Sequence, residues 1–282
     1  MKAQAGPAVF ALGFALLAFA GAAAAAGSCG EVATLETHGG TTTRYTFAQP
    51  SPTPTGVAVV LLPGGAGHLD LDDTGCPRAL RNNSLVRSIP LFHELGFFTA
   101  LVDAPSDHFG GDGLAAFRTS PRHAEDLGKV IADVRARMKG SVWLIGTSRG
   151  AISATNAAAR LSGASAPDGL VLTSALMSGD ARAKRPWVAQ SVFDLPLEEI
   201  RMPVLVVGHA DDSCVRSPAK LMGNITARTN GAREQVVLVT GGPGGSGLSS
   251  IEACEGRSPH GFIEQEREVA AGIARFIRDG KY

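Results

Sequence analysis

Short apolar runs punctuate the chain at regular intervals: residues 57–64 (VAVVLLPG), 97–105 (FFTALVDAP), 141–148 (SVWLIGTS), 169–176 (GLVLTSAL), 203–210 (PVLVVGHA) and 234–242 (EQVVLVTGG). Each is rich in β-branched residues, and within each the apolar positions are continuous instead of alternating. Such runs predict strands covered on both faces. Between them lie helical patterns over 78–95, 120–138, 150–162, 217–228 and 262–279. Alternation of strand and helix predicts an α/β fold with a mostly parallel sheet between helical layers. Ahead of the first run, EVATLETHGGTTTRYTF (31–47) reads as two strands around Gly39-Gly40, an antiparallel hairpin at the sheet edge. QPSPTPTG (49–56) reads as a surface connection, because a single hairpin precedes it. No internal repeat is visible, and residues 27–282 are expected to form one domain.

The first 26 residues break this pattern. Lys2 is followed by the apolar AVFALGFALLAFAGAAAAA, which reads as an export signal with an A-x-A cleavage site at Ala24–Ala26 and Gly27 as the new N-terminus. Its core is short for a spanning helix, and no later stretch approaches that length. Cleavage would leave Cys29, Cys76, Cys214 and Cys254 in a periplasmic or secreted protein. Four cysteines in an oxidising compartment predict two disulfides, with three pairings open.

Charge narrows the partners. Lys and Arg number 26, as do Asp and Glu, and no basic run occurs. A nucleic-acid partner is therefore not expected. Nor is a membrane, once the signal is removed.

The chemistry concentrates at one seam. The run SVWLIG leads into Gly146-Thr147-Ser148-Arg149-Gly150, and small residues follow to Ala159. A nucleophile raised on a sharp strand-to-helix turn requires glycine on either side, where a Cβ would collide with packed neighbours. Ser148 is thus the candidate nucleophile, with Gly146 and Gly150 forming the elbow. A serine hydroxyl needs a base. After Ser148 the chain holds His209, at a strand end, and His260, in a loop before the last helix. His260 is the expected base and His209 a structural residue. The acid belongs just past the strand at 203–210, where Asp211 and Asp212 both qualify; the spacing favours Asp212. The oxyanion donors are expected to be the backbone N–H of Arg149 and that of Gly65 in LLPGGAGH.

GTSRG, HADDSC and SPHGF, in that order, resemble the α/β-hydrolase superfamily. NNSLVRSIPLFHELGFFTALVDAPSD (82–107) is further similar to a poorly characterised group of exported bacterial α/β-hydrolase-like proteins. The resemblance implies the fold, a Ser-acid-His triad and export, but names no substrate. If the triad forms, the loops of Asp212 and His260 must meet. That would bring Cys214 to Cys254 and leave Cys29 to pair with Cys76.

Other features carry less. GPGGSG (242–247) has dinucleotide-loop spacing but no helix pattern opens after it. HELGF at His93 lacks a second histidine, and the remaining histidines show no metal-ligand spacing, so no metal or other cofactor is expected. Asp103, Ser106, Asp107 and His108 follow a strand end, where they would contact substrate or cap a turn. The segment between 176 and 203 leaves room for a minimal cap, with Trp187, Val188 and Phe193 a thin basis for an apolar lid. These features favour a serine hydrolase acting on a small-molecule ester or related acyl group. A peptidase or acyltransferase of the same fold, and a non-catalytic binding protein, are the alternatives.

Overall fold

The computed structural model describes residues 1–2, 28–50, 54–180, 182–245 and 247–282. The expected export signal and its cleavage point lie outside the described residues, as does part of the 49–56 connection. Among the described residues no helix is long and apolar enough to cross a membrane.

The strands are β1 (Glu31–Glu36), β2 (Thr42–Ala48), β3 (Val57–Leu62), β4 (Phe98–Pro105), β5 (Ser141–Thr147), β6 (Gly169–Thr173), β7 (Val204–His209) and β8 (Glu234–Val239). They form one sheet in the order β1-β2-β4-β3-β5-β6-β7-β8. β1 runs antiparallel to β2 and β2 to β4; every other pair is parallel. The N-terminal hairpin lies at the sheet edge as the sequence predicts, turning through Gly39 and Gly40 at positive φ.

The helices are α1 (Ser84–Glu94), α2 (Pro121–Met138), α3 (Arg149–Arg160), α4 (Pro186–Ala189), α5 (Gly223–Thr226) and α6 (Glu266–Asp279). The sheet separates two apolar clusters. On one side Val130, Ile131 and Val134 of α2 and the alanines of α3 pack against Val60, Leu144 and Leu172. On the other, Leu85 and Phe92 of α1 and Ile273 and Phe276 of α6 pack against Leu61, Ile145 and Val207. Both clusters are built from buried apolar residues, so both faces of the central strands must be apolar, which is why their sequences do not alternate. The chain passes from β3 outward to β4, then returns to place β5 on β3's other side. At such a switch point the loops leaving two neighbouring strands diverge and open a crevice above their carboxyl ends.

Several boundaries differ from the sequence reading, each for a local reason. The predicted helix 78–95 starts only at Ser84, because Leu80 has positive φ and Asn83 caps the helix by accepting from the Leu85 N–H. The predicted helix 262–279 starts at Glu266, since Phe262 and Glu264 take left-handed conformations. The 217–228 region breaks into a 3-10 turn at Ala219–Leu221 and the one-turn α5. β6 stops at Thr173, where Ser174 turns with φ 43°. β8 is an edge strand, so its apolar run is not buried on both faces: Val236 and Leu238 are exposed.

Two disulfides are present, Cys29–Cys76 and Cys214–Cys254. The first spans 47 residues and ties the start of the hairpin to the loop after β3, where the Cys29 N–H also donates to the Thr74 carbonyl. Chain-entropy arithmetic gives a loop of that length about 4 kcal/mol. Replacing Cys29 and Cys76 together by alanine should therefore lower the unfolding free energy by about 2–4 kcal/mol, read by chemical denaturation.

Candidate active site

β5 ends at Thr147 and α3 begins at Arg149, so Ser148 alone turns the chain, at φ 53° and ψ −122°. A side chain is strained there, and the turn persists only because its surroundings dictate it. The Ser148 N–H donates to the Thr173 carbonyl of β6 at 3.0 Å. A Cβ on Gly150 would stand 1.9 Å from the Leu62 carbonyl oxygen, so α3 can leave the turn only over a glycine. One on Gly64 would stand 2.8 Å from the Ser148 Cβ. The elbow is thus wedged directly against the end of β3 and its loop.

The fold brings Ser148, His260 and Asp212 together in one hydrogen-bonded chain. The Ser148 Oγ lies 3.0 Å from His260 Nε2, and His260 Nδ1 lies 2.9 Å from Asp212 Oδ2. A carboxylate only accepts, so Nδ1 carries the imidazole proton and Nε2 is left to accept from the serine hydroxyl. Both His260 and the Asp212 carboxylate are buried. Asp212 Oδ1 accepts from the Cys214 N–H at 2.8 Å, which fixes the carboxylate's orientation. Asp211 is exposed and points elsewhere, its N–H donating to His209 Nδ1. His209 is buried and donates from Nε2 to the Gly241 carbonyl, away from Ser148 and His260.

The base loop has supports that the sequence did not reveal. Arg87 reaches from α1 to donate to the Gly256 and Gly261 carbonyls at 2.8 Å each, and its guanidinium pairs with Glu266 at 2.7 Å. Ser258 Oγ accepts from the His260 N–H. Nothing in a lone helical arginine marks it for that role. The Cys214–Cys254 disulfide links the acid loop to the turn just before the base.

Gly65, Ser148 and Arg149 share the lining of one cleft of about 250 Å3, which also touches Leu176, Arg216 and Ile251. A second cleft, of about 370 Å3, shares Gly65 and Ser148 with the first, reaches His260 and is lined further by Arg78, Leu80, Arg81 and Asn82. Arg149 is the first residue of α3, so its N–H belongs to the helix N-terminus, where the backbone dipole favours negative charge. Behind the loop of Gly65 lies a buried arginine. Arg118 donates to Ser153 Oγ at 2.7 Å and to the carbonyls of Gly65 and Pro63 at 3.3 and 3.4 Å. Burial, and then the charge of Arg149, push its pKa down to about 9, so it is still a cation at neutral pH. Ser153 passes its own hydrogen to Nε2 of buried His123, whose pKa burial pushes down to about 3. Arg118 thus anchors two alternate carbonyls of the loop that carries the Gly65 amide.

The segment after β4 does not line either cleft. Asp103 is buried and accepts from the N–H groups of Leu69 at 2.6 Å, Ala104 at 2.8 Å and Leu71 at 3.3 Å, stapling β4 to the loop after β3. Ser106 accepts from the Thr42 N–H, and Asp107 and His108 face His38. Phe193 packs on the core instead of forming a lid. The Trp187 side chain lies outside the described residues.

No family model matches the chain, and no curated protein matches it in sequence. Solved structures do match. One is an alpha-beta serine hydrolase homologue from Coxiella burnetii, at 16% identity over 87% of this chain and 96% of the other, TM-score 0.53. Another is a lidless serine hydrolase from Xanthomonas campestris, at 16% identity over 89% and 95%, TM-score 0.53. A third is a Pyrococcus furiosus esterase, at 11% identity over 88% and 91%, TM-score 0.59. The chain has the α/β-hydrolase fold. Within that fold the Ser148 elbow stands at the carboxyl edge of the sheet, over the switch point between β3 and β5.

Stored strain at the elbow has a measurable sign. Ser148→Gly should raise the unfolding free energy by about 1 kcal/mol, because glycine adopts this backbone without penalty. Gly150→Ala should lower it by at least about 3 kcal/mol, because the Leu62 carbonyl cannot retreat without moving β3. Denaturant titration of the two variants checks both signs.

Proposed function

We propose that the protein is a serine hydrolase that cleaves a small ester through an acyl-enzyme on Ser148. The observation that carries this reading is the 3.0 Å contact between a strained, elbow-borne Ser148 Oγ and His260 Nε2. In the proposed reaction the Ser148 Oγ attacks the ester carbonyl carbon while its proton passes to His260 Nε2. The carbonyl oxygen becomes an oxyanion held by the N–H groups of Gly65 and Arg149. The intermediate collapses, the C–O bond to the alcohol breaks, and His260 returns the proton to the departing oxygen. Water, deprotonated by the same imidazole, then releases the acid. Asp212 holds the tautomer and stabilises the imidazolium without taking the proton. The esterases and serine hydrolases among the structural neighbours support this assignment. A proline iminopeptidase from Mycobacterium smegmatis, TM-score 0.57 at 12% identity, shares the fold, so peptide cleavage is the second reading. The short segment between β6 and β7 favours the ester, since it leaves no room for a large cap of the kind a peptidase would use.

The clefts also suggest the acyl group. Among the described residues their linings hold Arg78, Arg81, Arg149 and Arg216 and no carboxylate. Burial pushes the pKa of Arg149 and of Arg216 down; the charge of Arg216 adds to this at Arg149, while Asp112 offsets it there and Asp180 and Asp194 offset it at Arg216. An anionic group on the substrate would meet the arginines of this lining, so the reading extends to short esters bearing a carboxylate. The two disulfides and the N-terminal apolar segment support export to the periplasm or beyond.

Ser148→Ala should abolish labelling by a fluorophosphonate and esterase activity together; wild-type labelling at any other serine contradicts the assignment. Asp212→Asn should reduce kcat by about 10^4-fold, as expected for the wrong imidazole tautomer, with Asp211→Asn near wild type. On p-nitrophenyl hemisuccinate against p-nitrophenyl butyrate, kcat/KM should favour the charged ester by about tenfold, the worth of one charge-assisted hydrogen bond. Arg149→Gln should erase that preference, whereas equal rates in the wild type contradict it.

A further inference from the structure

At the opposite end of β4's carboxyl loop from the triad, two histidines and an aspartate converge from distant parts of the chain. Asp107 Oδ2 lies 3.0 Å from His38 Nε2 and 3.8 Å from His108 Nε2. All three donor atoms lie within 4.8 Å of one another. The ring nitrogens facing away are already engaged. His38 Nδ1 lies 2.6 Å from a carboxylate oxygen of Asp126, which is buried on α2. His108 Nδ1 lies 3.3 Å from the Gly113 carbonyl oxygen. Both outer partners only accept, so each Nδ1 carries a proton; Asp107 only accepts as well, so without an ion His38 Nε2 donates to it, and an ion taking this site would displace that proton. Phe117 walls one side, its ring stacked on His108 at 4.3 Å and tilted against His38 at 4.8 Å.

We propose that His38, Asp107 and His108 form a binding site for a divalent transition-metal ion of the Zn2+ class, separate from the triad. The donor set is two imidazoles and one carboxylate, which suits such an ion, with the fourth position open to water. Ligands about 2.0–2.1 Å from a tetrahedral ion lie about 3.3 Å apart; the two Asp107 separations, 3.0 and 3.8 Å, bracket that value, and the two imidazole nitrogens, within 4.8 Å of each other, would close toward it. The Asp126–His38 pair is the outer carboxylate that orients a metal-bound histidine. Asp107 and Asp126 together carry the two negative charges that a divalent cation would balance. The ion would clamp the β1–β2 hairpin to the loop after β4. That loop also backs the segment of Gly65: the Leu114 N–H donates to the Ala66 carbonyl at 2.9 Å, and Phe109 stacks on His68 at 4.2 Å. The separation of 69 positions between His38 and Asp107 hides the site from any spacing motif.

The test uses the chain without a histidine tag, stripped of metal, with ZnCl2 added alone. Calorimetry should report one ion per chain, and the thermal midpoint should rise on addition and fall back with a chelator. Asp107→Asn, which conserves shape, and His108→Ala should each remove both signals. Asp126→Asn should weaken binding about 10–100-fold while keeping one site. Binding that survives Asp107→Asn and His108→Ala, or a wild-type chain with neither heat nor shift in millimolar Zn2+, overturns the proposal.

Discussion

The backbone of Ser148 is the constraint on which the rest of the site depends. A serine held at φ 53°, ψ −122° is unfavourable by about 1–3 kcal/mol. The conformation persists because β5, β6, α3 and the loop after β3 meet around it with no room to relax. Gly150 presses on the Leu62 carbonyl, Gly64 presses on Ser148 itself, and the Ser148 N–H is taken by Thr173. Each contact removes one way of escaping the turn. The hydroxyl is left clear of the sheet, facing the amide end of α3. The packed elements around the elbow thus balance its strain, as is common where geometry serves chemistry.

Asp212 and His260 reach this fixed hydroxyl on loops, which are less rigid than the strands beneath them. Three attachments compensate. The Cys214–Cys254 disulfide ties the acid loop to the approach to His260, the Cys214 N–H orients Asp212, and Arg87 gathers the Gly256 and Gly261 carbonyls. On the other side, buried Arg118 holds the Pro63 and Gly65 carbonyls from behind. A fully buried guanidinium with no carboxylate partner among the described residues is costly, and the backbone carbonyls and Ser153 offset that cost. The triad geometry therefore draws on residues from α1, α2, α3 and the loops between them.

The parts visible in the sequence are those whose physics is local. Continuous apolar runs identify strands buried on both faces, and Gly146 and Gly150 around Ser148 identify the elbow, because a missing Cβ leaves a mark at fixed spacing. His260 follows from chain order. What the sequence conceals depends on tertiary contacts. Arg87 and Arg118 look like any helical or turn arginine until α1 and the turn before α2 are packed. The apolar run at 234–239 is indistinguishable from a central strand, yet lies at the edge, because nothing in its residues says that no strand follows on its outer side. Helix starts at 84 and 266 are set by positive-φ residues, Leu80, Phe262 and Glu264, whose side chains give no warning of them. The choice between Asp211 and Asp212 likewise waits on which one turns inward.

In the proposed reaction the elbow presents Ser148 as a nucleophile to a carbonyl whose oxygen faces the amides of Gly65 and Arg149. A crystal structure of the protein after reaction with a small fluorophosphonate tests this most directly. A bond from Ser148 Oγ to phosphorus is expected, with the phosphoryl oxygen within about 3 Å of both amide nitrogens. An adduct on another residue, or a phosphoryl oxygen turned to solvent away from those amides, would contradict it.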